Sequence, residues 1–137
     1  MKWILPIVTF GLLLLSCSRR KCCEPPQSDS NWKIIKRFGG ISASEVPLTD
    51  DQKNNVLTLK QSGSFVCKNT VTGITVSGTF AYSNFHSIYG DRQKMIFSPK
   101  LPMLSEDYFV LVDNPNGKMV FGDNYTDGYV TTFEIIP

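Results

Sequence analysis

His86 is the sequence's single histidine, so any Ser-His-Asp arrangement has to use it, with Asp91 or Asp107 orienting the ring and a serine as nucleophile. No Gly-x-Ser-x-Gly elbow accompanies it. The surrounding stretch, Asn84-Phe-His-Ser-Ile-Tyr-Gly90, reads as an aromatic loop, where a solvated histidine is commonplace. Two carboxylate pairs, Asp50-Asp51 and Glu106-Asp107, are adjacent in sequence, which on a strand sends the side chains to opposite faces. Glycosidase chemistry needs carboxylates converging across about 5–9 Å, and adjacency does not supply that. Asp123-Asn-Tyr-Thr-Asp-Gly128 lacks the third-position acid and the distal Glu of a calcium loop and reads as a β-turn. No catalytic set, metal site or cofactor is expected, and the chain reads as non-enzymatic.

The chemistry that the residue types do support is at the front. Met1-Lys2 is a short basic start, and Trp3 to Leu15 is an apolar run of 13 residues interrupted by Pro6 and Gly11. A bilayer-spanning helix needs about 17–25 apolar residues, so this run fits the apolar part of a secretory signal. It ends in Leu14-Leu15-Ser16-Cys17, which resembles a bacterial lipobox. The resemblance implies cleavage after residue 16, a thioether-linked diacylglycerol on Cys17 and acylation of its new amine. Three acyl chains anchor stably where one, at about 0.8 kcal/mol per buried methylene, anchors marginally. Ser18 rather than Asp follows the lipidated Cys, which by the same resemblance favours the outer membrane.

Setting Cys17 aside leaves Cys22, Cys23 and Cys67. Neighbouring Cα atoms are about 3.8 Å apart, below the usual disulfide range of about 4.4–6.8 Å, so a Cys22–Cys23 bond would be strained. Either could instead pair with Cys67, or Cys67 could be a small buried hydrophobe. Without Cys-x-x-Cys spacing, and with one histidine, no common zinc site is expected.

Charge divides by segment. Arg19-Arg20-Lys21 lies just behind the signal, and residues 24–137 hold 10 basic and 12 acidic side chains, a net of −2. A near-neutral domain has no electrostatic footprint for nucleic acid. Glu24-Pro-Pro-Gln-Ser-Asp-Ser-Asn31 is polar and stiffened by prolines, the composition of a linker. Residues 1–16 are thus a signal peptide, 17–31 a lipidated tether, and 32–137 one domain.

Within that domain the dominant period is two. Ile74, Val76, Gly78, Phe80 and Tyr82 share one face of a strand, alternating with Thr75, Ser77, Thr79, Ala81 and Ser83. Further strands are predicted at 32–38, 55–61, 64–69, 93–98, 107–113, 118–122 and 129–136, giving eight. Ser62-Gly63, Thr72-Gly73, Asn114-Pro-Asn-Gly117 and Asp127-Gly128 supply turn chemistry. Thr49 and Gln52 resemble a capping box, and no apolar stripe follows, so one short helical turn is predicted there. Short connections favour an antiparallel meander, and closing it into a barrel removes both sheet edges. A β-sandwich is the alternative.

The chain here resembles the small lipocalin-like lipoproteins of Gram-negative bacteria. The carrying residues are Cys17, Trp32 on the first strand, Gly39-Gly40, Ser62-Gly-Ser-Phe65, Ser77-Gly-Thr-Phe80 and Asp127-Gly-Tyr-Val-Thr-Thr-Phe133. The resemblance implies an eight-stranded, lipid-anchored barrel in the cell envelope that binds a small apolar ligand or an envelope protein. A structural or inhibitory interaction protein is the alternative. In a barrel, alternate aromatics point inward and either fill the core or line a cavity. Tyr82 and Tyr108 are the candidate ligand-binding residues, because a buried phenol needs a polar partner that a ligand could supply.

Overall fold

Alternating apolar residues dictate pleated strands with one buried face, and the pairing of those strands is set out in a computed structural model. It describes residues 28–39, 44–88, 90–104, 108–113, 117–123 and 128–137, with 108–113 described in their backbone pairing. The predicted signal, Cys17, Cys22, Cys23, most of the tether, Glu106-Asp107 and the Asn114–Asn116 turn lie outside the described residues.

The elements run β1 (Ser30–Gly39), β2 (Ser44–Glu45), α1 (Asp50–Asn54), β3 (Asn55–Leu59), β4 (Ser64–Asn69), β5 (Thr75–Ser87), β6 (Gly90–Ser98), β7 (Tyr108–Asp113), β8 (Lys118–Gly122) and β9 (Tyr129–Ile136). All eight predicted strands form, and β2 is an addition that two isolated residues could not announce. The fold is all-β. Every strand joins one antiparallel sheet that follows chain order from β1 through β3 to β9, with β2 attached to the far end of β1. β1 also pairs with β9, from Asn31 opposite Ile136 to Gly39 opposite Tyr129.

Local chemistry explains the boundaries. The first strand begins at Ser30, two residues before the predicted start, and the buried Ser30 hydroxyl accepts the Trp32 indole N–H at 2.8 Å. Thr49 caps α1: its Oγ1 accepts from the Gln52 amide at 3.2 Å, and Gln52 Oε1 accepts from the Thr49 amide at 3.0 Å. Asn69 organises the β4–β5 turn, its Oδ1 accepting from the amides of Val71 and Thr72, both at 3.0 Å. That turn takes Ile74 out of the predicted strand face and leaves it two-thirds exposed. Gly78 is needed for close approach, since a Cβ there would collide with the Ser98 carbonyl on β6.

The stretch Asn84 to Gly90 is a correction to the expected aromatic loop. β5 and β6 continue in register through His86–Asp91 to Ser87–Gly90, so Asn84–Ser87 and Gly90 belong to the end of a long hairpin. β4 is registered only against Thr75–Thr79 of β5, and β7 only against Gln93–Ile96 of β6. The hairpin therefore runs on past its neighbours.

The core is built from the buried faces of most strands: Trp32 and Ile34, Leu57 and Leu59, Phe65 and Cys67, Phe80, Met95 and Phe97, Met119 and Phe121, and Phe133. Phe65 meets Phe97 edge-on at 5.4 Å, and Phe121 meets Phe133 the same way at 5.6 Å. Leu101, Met103 and Leu104, from the connection after β6, are also buried. Full burial of such side chains is worth about 1.5–3 kcal/mol each.

Antiparallel order sends alternate connections to opposite ends. The connections β1–β3, β4–β5, β6–β7 and β8–β9 belong to one end, and the start of β1 and the finish of β9 belong to the other. At the first end the elements tie together. Gln52 Nε2 donates to the Met103 carbonyl at 3.3 Å, and the Thr70 amide donates to the Asn54 carbonyl at 2.8 Å.

Candidate binding site

Each chemistry-bearing residue has a defined place. His86 and Asp91 do come together: directly opposed across β5 and β6, they share a hydrogen bond between Nδ1 and Oδ1 of 2.6 Å. Their side chains are 84% and 93% exposed, so the pair sits in water. Among the described residues no serine is hydrogen-bonded to the ring, and a solvated pair lacks the water-excluded setting that makes such groups catalytic. Asp50 and Asp51 are the exposed first turn of α1, where carboxylates favour the positive end of the helix dipole. Among the described residues no three His, Cys, Asp or Glu side chains converge.

Tyr82 lies on the core face, half-buried, with its ring edge-on to Phe80 at 5.9 Å. Its cross-strand partner is the fully buried Met95, which is opposite Phe109. Tyr108 is opposite Ile96, in the alternate row. The two candidate tyrosines therefore share no cross-strand row, and the Tyr108 side chain is outside the described residues.

Cys67 is buried and free of disulfide bonding, and its Sγ donates to Asn55 Oδ1 at 3.7 Å. Burial removes water from the thiolate and pushes the thiol up from 9.0 to about 11. The folded state thus favours the neutral thiol. Its contribution to stability is complete below pH 9 and is lost as pH rises toward 11, because the unfolded chain ionises first. A urea-midpoint series across that range should fall for the native chain and fall less for Cys67→Ala. In the same protein, a thiol reagent at pH 8 should label Cys67 only when denaturant is present. Rapid labelling of the folded chain would contradict the burial.

Period-two reading misses the most unusual polar residue. The β1–β9 register shifts between Ile34 and Lys36, a bulge that inserts Ile35. One extra residue reverses the faces beyond it. Ile35 and Lys36 are exposed, and Arg37 is half-buried in the cross-strand row that contains the buried Thr131 and Phe121. Its guanidinium carbon stacks over the Tyr129 ring, 3.8 Å from the centroid. Arg37 Nε is buried and has no hydrogen-bond partner. Further along the row, through Leu111 of β7, Gln93 Oε1 is likewise buried and unpartnered. Buried polar atoms are nearly always satisfied, so two orphans in one row mark the core face as incompletely served by its own side chains.

The bulge also shapes the outer surface. β3 is registered against Ser30–Lys33 only, and β2 takes up β1 again at Phe38. Between them, Ile35 and Lys36 face Glu45 to Leu48 and Lys53 across a groove of about 340 Å³. Lys36 Nζ and Glu45 Oε2 bridge it at 3.2 Å, both well exposed. Such an exposed pair is worth about 0–1 kcal/mol, so the groove rests on backbone pairing. No protein-family model, curated protein or solved structure matches this chain.

Proposed function

We propose that this chain is a lipid-anchored, lipocalin-like barrel that serves in the cell envelope as a non-enzymatic binding module for a small, largely apolar ligand. The observation that carries the reading is the pairing of β1 with β9 around an apolar core. With β1 hydrogen-bonded on both sides, the meander supports a barrel of eight strands, and the overrun of the β5–β6 hairpin fits the stagger that closure requires.

The anchor gives the module a direction. Cys17 precedes β1, and β1 begins at the end opposite α1 and the β4–β5 turn. A lipidated Cys17 therefore tethers the chain through the end that also carries the overrunning β5–β6 hairpin, with α1 and the β4–β5 turn at the far end.

Native mass spectrometry of protein extracted from its own membranes tests the reading. A co-purifying apolar compound of defined mass is expected. A protein that emerges bare, with Cys17→Ala still carrying palmitate label, would remove both halves of it. A second reading, docking of an envelope protein, is favoured by Val71 and Ile74, which are 73% and 66% exposed on the β4–β5 turn. Replacing both with serine should abolish capture of such a partner and leave the compound bound.

A further inference from the structure

We infer that the end of the β5–β6 hairpin is a membrane-docking element, with Ile88 seated in the headgroup layer of the bilayer that holds Cys17. The inference rests on the proposed lipid anchor and goes beyond ligand binding. β1 starts, β9 finishes and β5 turns into β6 at one end of the sheet. Twelve residues separate Cys17 from Ser30, so an acylated Cys17 keeps that end within about 43 Å of the lipid, the reach of a fully extended chain. The Phe80 amide donates to the Gly63 carbonyl at 2.8 Å, which fixes the β3–β4 turn beside Phe80. β5 continues from there to Ser87, seven residues further, a projection of about 23 Å along the strand.

The residues at that end have interfacial chemistry. Ile88 is 55% exposed where the hairpin turns. Behind it, Phe85 stands opposite the exposed Arg92, and Lys94 Nζ lies 4.8 Å from the centroid of the Phe85 ring. Aromatic rings and long cationic side chains settle at headgroup level, with the apolar body at the boundary and the charge toward phosphate. Arg92 and Lys94 outnumber Asp91, whose carboxylate is engaged with His86 at 2.6 Å, so the hairpin end suits anionic lipid. One aliphatic side chain holds a free protein at a bilayer only briefly. The anchor makes docking an intramolecular step at high effective concentration, so one suffices. Val71 and Ile74 are more exposed than Ile88, but they lie at the opposite end of the sheet from the tether. They separate the effect of placement from that of apolar exposure alone.

The test uses the full acylated chain, with Cys22 and Cys23 replaced by serine, in vesicles of phosphatidylethanolamine and phosphatidylglycerol. A thiol-reactive dye is attached at His86→Cys, an exposed position two residues from Ile88, or separately at Val71→Cys. The buried Cys67 stays unlabelled in the folded chain. Quenching by a spin-labelled lipid is then measured. The dye at position 86 should be quenched, and the dye at position 71 should not. Ile88→Ser should lower the docked-to-free ratio by about tenfold, the scale of one aliphatic side chain leaving water. Ile88→Leu should keep the native ratio.

Equal quenching at positions 86 and 71, in a chain whose mass includes the acyl groups, would overturn the docking and leave the anchor standing. A mass without acyl groups removes the anchor and the docking with it. Quenching at position 86 that Ile88→Ser leaves unchanged would overturn the assignment to the hairpin end. Protection of the thiol at position 86 in native membranes, without quenching in vesicles, would overturn it in favour of an envelope protein.

Discussion

Cysteines placed at Lys33 and Glu134, in a background with Cys22 and Cys23 replaced by serine, should join on oxidation and raise the stability of the folded chain by up to about 4.7 kcal/mol. The two positions are directly opposed across β1 and β9. Opposed Cα atoms in an antiparallel pair are about 4.5–5.5 Å apart, within the range a disulfide spans. The loop so closed holds roughly 100 residues, for which the chain-entropy model gives about 4.7 kcal/mol, with native strain subtracting from it. Both side chains are at or near the surface, so the substitutions themselves cost little. The Lys118–Glu134 pair that is lost, 3.6 Å and exposed, is worth about 0–1 kcal/mol. The measurement is a urea melt of the oxidised and reduced forms, after confirming an intramolecular bond by mass. Failure to form that bond, or its formation only between molecules, would mean the first and last strands do not meet.

Truncation at the seam has an effect of similar size and opposite sign. Phe133→Ala is expected to cost about 3–5 kcal/mol, the usual range for a buried phenylalanine. Phe133 has no exposed surface, stands opposite Ile34 on β1 and Met119 on β8, and meets Phe121 edge-on. The cavity opens where β1, β8 and β9 converge, so collapse around it requires three strands to move together. Because domains of this size are stable by about 5–15 kcal/mol, the variant should melt many degrees lower or fail to fold at 37 °C. Phe133→Leu keeps most of the volume and should retain most of the stability. A loss near 1 kcal/mol for the alanine variant would show that the seam is loosely packed.

The legibility of this architecture varied with how local its causes are. Strands β3, β4, β8 and β9 follow from alternation and flanking turn residues, and α1 from the reciprocal Thr49–Gln52 cap, all within a few residues. Asn84 to Gly90 reads as a loop because its polar and aromatic residues carry no apolar alternation. What makes it a strand pair is the cross-strand register with β6. Arg37 was invisible for a related reason. Counting by twos from Trp32 and Ile34 leads to Lys36, and only the inserted Ile35 turns Arg37 toward Thr131 and Tyr129. A bulge depends on the partner strand's register, which a linear pattern does not contain. Tyr82 lies on the core face as its alternation requires, and Tyr108 takes its place in β7 opposite Ile96.

The β1–β9 contact also bears on how the chain acquires its shape. Delivered from its front, whether by a ribosome or through an export channel, the chain presents β1 roughly a hundred residues ahead of β9, so the earliest strand waits longest for its last neighbour. Through that interval β1 keeps the row of backbone groups that will face β9, Asn31–Gly39, unpaired. Contacts so distant in sequence make for slow, late-committing folding. The nascent protein therefore stays pliable until its final segment emerges, and any handling by holding factors has to occur within that window.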